Sequence, residues 1–375
     1  MTFWRVGCAM CLGFVQLAAV MAQPMYTIVN LGTVQTTDTA STGQGVSPSG
    51  EYITGYSSAT GVSRALLWTD AMGSMGLPPL ASPARNFSFP QGVNDGGVAV
   101  GFGATTAFFS SPLPVMWKNG LASQLPMPGG QTAGRAYSVN GAEVAVGSVG
   151  GGSTEFATVF TSTTATILTQ TMPNGGVLKT AYALNDSGRI VGQALDPMNP
   201  AVTKGFFLDT GDLVATDLGA LSGHNSAIPF AVSSNGLVAG SSSFNSGVGS
   251  LPFLWSESAG MTPVPLPMGT TQGGARGVNA SGWVVGTASA ATAVPFLYDG
   301  VGTYTLQSLL VNPTGWDLIS GTSNGAFGIA DNGVITGRGL LNGAIRGFAL
   351  IPVPEPGTCT VLVAVVLLSI ARRRR

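Results

Sequence analysis

Between residues 23 and 352 this sequence has no cysteine, since its three cysteines are Cys8, Cys11 and Cys359. Disulfides, thiolate metal sites and a cysteine nucleophile are thereby excluded from that region. Histidine is almost as scarce. His224 is the single one, in Leu221-Ser222-Gly223-His224-Asn225-Ser226, and one imidazole builds neither a conventional triad nor a metal set. Charged residues make up only 8% of the chain, so the surface must consist largely of Ser, Thr, Asn, Gln and Gly. Once Arg5, Glu355 and the four terminal arginines are set aside, ten Lys/Arg face fifteen Asp/Glu. No basic patch speaks for nucleic acid, and nothing in the sequence calls for a cofactor.

What the sequence does have is glycine at a nearly constant interval. Gly277-Val278-Asn279-Ala280-Ser281-Gly282-Trp283-Val284-Val285-Gly286 has six relatives, which close on Gly55, Gly101, Gly147, Gly192, Gly240 and Gly337; successive steps are 46, 46, 45, 48, 46 and 51 residues. In each, a short apolar run enters an Asn/Asp/Ser-Gly turn and a β-branched run leaves it, which is a hairpin signal. Asn, Asp and Gly tolerate the left-handed backbone of such turns, so turn chemistry accounts for them first. The turn carboxylates match no calcium-loop spacing. The closing glycine marks a bulge or a close backbone approach.

An apolar aromatic run follows each copy, among them Ala65-Leu66-Leu67-Trp68, Pro114-Val115-Met116-Trp117 and Pro252-Phe253-Leu254-Trp255. An extended linking segment then leads to the next, so each repeat holds about four short strands. Trp68, Trp117 and Trp255 share one repeat position, which assigns them to packing. Trp283 and Trp316 fall outside it and are the candidates for stacking on a sugar. Asp209, Asp212, Asp217 and Glu257 form the densest acidic cluster, without a spacing that singles out a glycosidase pair.

These features predict an all-β fold: a seven-bladed β-propeller of about 46-residue repeats spanning 23–352. The first strand candidate, Tyr26 to Gly32, matches the linking strands, whereas the last copy lacks one. The N-terminal strand is therefore expected to complete the last blade and close the ring, which would remove exposed sheet edges. An open sandwich array is the alternative, and it would make that strand dispensable.

The pattern resembles the HAF-type extracellular repeat family, in which an aromatic strand alternates with a Val-Asn-x-x-Gly-x-Val-Val-Gly turn and an Asp-Leu-Gly linker such as Asp217-Leu218-Gly219. Here the family's His-Ala-Phe position reads Arg64-Ala65-Leu66 or Leu251-Pro252-Phe253. The resemblance implies a secreted repeat protein and no established reaction.

Both ends carry address signals. Residues 1–22 look like a secretory signal peptide, with Arg5, an apolar stretch and cleavage between Ala22 and Gln23. At the other end, residues 353–375 comprise Val353-Pro354-Glu355-Pro356-Gly357, an apolar run from Thr358 to Ala371, and Arg372, Arg373, Arg374 and Arg375. This tail resembles a PEP-CTERM sorting signal. The run is short of the roughly 20 residues of a comfortable span, and the arginines obey the positive-inside bias, so transient inner-membrane insertion is expected. The resemblance implies an exosortase as partner, a Gram-negative host that makes exopolysaccharide, and release to the cell envelope or extracellular matrix. The expected function is non-catalytic, with propeller loops binding exopolysaccharide or surface proteins. The alternative is a secreted carbohydrate-active hydrolase or lyase on the same scaffold.

Overall fold

The computed structural model describes residues 23–151, 154–245 and 248–354. Over these the chain is all-β, with a short 3-10 turn at Leu306–Leu309. No helix among the described residues is long and apolar enough to cross a membrane. Met1 to Ala22, Glu355 to Gly357, the apolar run and the terminal arginines lie outside them.

Seven antiparallel meanders follow one another along the chain. Their first strands are Ala40–Val46, Phe87–Val93, Gly134–Val139, Leu178–Leu184, Ser226–Val232, Gln272–Val278 and Gly325–Ile329. Each turns sharply into a second strand whose third residue is the repeat's closing glycine. The aromatic run then forms the third strand, and the linking segment the short fourth, as in Leu121–Gln124 or Gly260–Pro263. The first two meanders share one sheet through a single parallel bridge, Ser63 to Phe87. In the last meander the fourth position is taken by Tyr26–Asn30, which pairs antiparallel with Ala344–Pro352 from Tyr26↔Pro352 to Asn30↔Phe348.

Packing follows from the strand composition. The third strands place Phe206, Phe253, Phe296 and Phe348 at 0% exposure between neighbouring meanders, so those sheets are covered on both faces and their apolar runs are nearly continuous. Trp68, Trp117 and Trp255 are buried with them, and Trp117 satisfies its indole N–H on the Pro78 carbonyl at 2.8 Å.

The Asn-Asp turns do more than reverse the chain. Asn94 Oδ1 accepts from the backbone N–H groups of Gly96 and Val98, both at 3.0 Å, while its amide donates to the carbonyl of Asn140 in the next turn at 2.8 Å. Asn185, Asn235 and Asn279 reach Ser233, Ala280 and Ala330 in the same way. Asp95 and Asp186 accept from Ser49 and Gly141 of the preceding turns, and the Asp331 N–H donates to the Pro48 carbonyl at 2.9 Å. Every turn is thus hydrogen-bonded to the next, and the seventh to the first. Buried carbonyls and amides in these turns would otherwise lack partners.

Candidate functional site: a cup built from seven bulges

Each first strand carries a bulge opposite the closing glycine of the second strand, where the register skips one residue; Leu178–Leu184 has a second shift at Lys179. Opposite the glycines the skipped residues are Gln44, Gln91, Tyr137, Tyr182, Phe230, Arg276 and Phe327. An extra residue in one strand bends it and re-aims a side chain. These seven, with Arg338 from the second strand of the last meander, line one cavity of about 380 Å³, within the size range of small-molecule sites. A narrower space of about 190 Å³ continues from it toward the turns at Pro48, Ser234 and Asp331.

The closing glycines explain how the bulges fit. A Cβ on Gly55, Gly101, Gly147, Gly192, Gly240, Gly286 or Gly337 would lie 1.9–2.2 Å from the carbonyl oxygen two residues before the bulged residue. Real atoms never approach so closely, so only glycine lets the bulge sit there.

The cup has two chemically different walls. On one side Tyr137, Tyr182 and Phe230 follow one another with ring centroids 5.4 and 5.3 Å apart. The row ends in the Arg276 guanidinium, 3.9 Å above the Phe230 ring centroid, a cation–π arrangement. Arg338 stands 5.7 Å over the Phe327 ring and donates through Nε to the Ser323 carbonyl. On the other side stand the amides of Gln44 and Gln91. No Asp or Glu lines the cavity. The carboxylate that acts on Tyr137 and Tyr182 from nearby is Glu155, which accepts from the Thr180 hydroxyl at 3.3 Å.

Burial governs the titration of these groups. It raises the phenol pKa of Tyr137, with the adjacent Arg135 opposing it, and it raises that of Tyr182, with the Tyr137 and Glu155 charges adding to the effect. Burial likewise raises Tyr26. Desolvation by the surrounding residues lowers the pKa of Arg276, yet its side chain stays exposed and a guanidinium remains charged in proteins. A folded state that holds its tyrosine protons above pH 10 binds more protons than the unfolded chain there, so stability falls as pH rises beyond 10. Titration at 295 nm is therefore expected to ionise Tyr26, Tyr137 and Tyr182 only with unfolding. Ionisation of all seven tyrosines near pH 10, with native circular dichroism retained, would refute this.

The other residues singled out in the sequence have placements of their own. Asp209 and Glu257 flank Arg189 as ion pairs, and Arg189 also stacks on Phe207 at 4.6 Å. Asp212 accepts from the Asp209 N–H and Asp217 from the Gly219 N–H, so the acidic cluster is a set of turn and pairing carboxylates away from the cup. His224 meets the Ser242 hydroxyl at 3.2 Å. Trp316 lies in the core, 6.1 Å from the Phe348 ring and 9% exposed, and Trp283 is half-buried against the same cluster. Neither lines the cup. At the two ends, Gln23 Nε2 donates to the Ser308 carbonyl and the Val353 N–H to that of Met25 at 2.8 Å, so the segments bordering both address signals run side by side.

Residues 352–375 match the family model of the PEP-CTERM protein-sorting motif. No curated protein matches the chain by sequence. Among solved structures, oligogalacturonate lyase from Vibrio parahaemolyticus is similar with a TM-score of 0.56 at 10% identity, over 88% of this chain and 94% of that one. The β-propeller domain of the Trilobed protease from Pyrococcus furiosus aligns with a TM-score of 0.43 at 10% identity, over 70% and 82%. The WD40 domain of SCAP from fission yeast gives 0.39 at 9%, over 88% and 90%. At such identities a likeness concerns the fold alone. The chain is an all-β repeat protein, and its sorting motif marks it for export and exosortase processing at the envelope.

Proposed function

We propose that this is a secreted, non-catalytic repeat protein of the cell envelope or extracellular matrix, related to the HAF-type proteins. Its seven meanders form a closed seven-bladed β-propeller that holds an exopolysaccharide or a surface partner in the axial cup. Closure is supported by the pairing of Tyr26–Asn30 with Ala344–Pro352, by the bond from the Gly347 N–H to the Ser41 hydroxyl at 3.0 Å, and by the turn-to-turn bonds. The observation that carries the binding reading is the convergence of seven bulged side chains, rich in aromatic rings and amides, on one cavity. The cup also supplies no carboxylate, histidine or cysteine to act as acid, base or nucleophile.

Affinity electrophoresis of the exported protein through gels containing the host's exopolysaccharide tests this. Retardation is expected, and Tyr182→Ala combined with Phe230→Ala is expected to abolish it while thermal unfolding of the variant stays cooperative. The same mixtures should release neither reducing ends nor unsaturated products absorbing at 235 nm. Such release would instead establish the hydrolase or lyase reading, and unretarded migration would remove the polysaccharide from the proposal.

A further inference from the structure

The cup holds a guanidinium with an unmet demand. Arg64 pairs with Asp38, Arg189 with Asp209 and Glu257, and Lys118 with Glu143. Arg338 and Arg346 bond to backbone carbonyls. Arg276, by contrast, makes no hydrogen bond or ion pair among the described residues; its guanidinium lies 3.9 Å above the Phe230 ring centroid. A guanidinium stacked on an aromatic keeps its five N–H donors in the plane of the fork, where they match a carboxylate bidentately. The Arg276 side chain is exposed, so an anionic guest can reach these donors directly. The chain as a whole is acidic between its two ends, yet the cup is lined by two arginines and no acid. Its preference is therefore local and opposite to the net charge.

The geometry points to a carboxylated sugar, a hexuronate residue of an acidic polysaccharide, as the guest of this cup. Its carboxylate would sit on the Arg276 fork, the sugar ring against Tyr182 and Tyr137, and its hydroxyls toward the amides of Gln44 and Gln91. The amides both donate and accept, which suits hydroxyl groups better than a lone anion, and adjoining aromatic faces suit a ring with an apolar side. An acidic peptide also offers a carboxylate and hydrogen-bonding groups, but not a ring with an apolar face on each residue to lie against the tyrosines. This inference rests on the binding reading above and adds the chemical class of its ligand.

Calorimetric titration of the exported protein with an oligomer of β-1,4-linked glucuronic acid, and with the same oligomer after carboxyl reduction to the neutral sugar, tests it. The uronate is expected to bind about 10- to 100-fold more tightly, the range of a charge-assisted hydrogen-bonded pair. Arg276→Gln is expected to erase that difference by weakening only the uronate, Arg276→Lys to restore part of it, and the remote Arg346→Gln to leave it intact. Equal binding of both oligomers, unmoved by Arg276→Gln, overturns the inference while leaving glycan binding in place. So does failure of both oligomers with exopolysaccharide retardation preserved. Binding of a glutamate-rich peptide through Arg276 in place of either oligomer overturns the sugar class.

Discussion

Removing residues 23–32 is expected to cost the folded protein about 3–6 kcal/mol, the burial value of two large side chains, and thus a large share of the stability of an ordinary domain. Tyr26 is 0% exposed and sits in a cluster with Leu309, Leu310, Phe348 and Leu350, whereas Leu31, 2% exposed, belongs to a different cluster with Ile53, Leu66 and Trp68. One short strand therefore ties the last meander to the first. Backbone bonds go with it: Leu31 N–H to the Gly347 carbonyl at 2.9 Å and Val311 N–H to the Tyr26 carbonyl at 3.0 Å. The loss would also bare the edge of Ala344–Pro352, a template for aggregation. Denaturant unfolding of residues 33–354 beside 23–354 measures the effect, and adding the 23–32 peptide in trans should recover part of it. An unchanged midpoint would mean that the strand stands outside the cooperative unit, as an open array of sandwiches would have it.

Alanine at a single closing glycine should do comparable damage. In Gly147→Ala the new Cβ would fall 1.9 Å from the Arg135 carbonyl oxygen and 2.9 Å from the Ala136 Cα. Both obstacles are backbone, so no side chain can rotate away, and the inner strand must shift or the bulge must open. Overpacking of this kind costs roughly 3 kcal/mol. The displaced strand also carries Tyr137, so ligand binding in the cup should weaken with stability. Gly129→Ala serves as the control. That glycine has no atom within 4 Å of a built Cβ and no positive φ, and its change should stay within about 0.5 kcal/mol. Equal midpoints for the two variants would show that the bulges are not pinned by the glycines.

How much of this was legible in the sequence depends on which residues repeat. The closing glycines gave the period, the Asn-Asp turns the hairpins, and the aromatic runs the third strands, because these positions keep one residue type for one physical reason in every copy. The cup residues do the reverse. Gln44, Gln91, Tyr137, Tyr182, Phe230, Arg276 and Phe327 all stand three positions before the turn residue, as in Tyr137-Ser138-Val139-Asn140 and Arg276-Gly277-Val278-Asn279. Their chemistry varies, so a reading that follows constancy passes over them. A bulge also breaks the alternation by which inward and outward positions are told apart. The signal was a column of large side chains amid small ones. The tryptophans drew the eye instead, and Trp316 owes its unusual repeat position to an additional strand pair with the last meander, Trp316↔Leu341, that the period did not contain.

The pairing of Tyr26–Asn30 with the strand that ends at Pro352 also sets the order in which the molecule can be assembled. Most strands here find their partners within a few dozen residues, but this one must wait for a partner more than three hundred residues later. Contacts so distant along the chain form late, since the loop entropy must be lost before the contact rewards it. A chain exported from its N-terminus emerges with its first strand unmatched, and the match arrives only with the residues that border the sorting motif. The pairing that joins the two ends of the fold can therefore form only once the chain is available as far as Pro352, where the sorting motif begins.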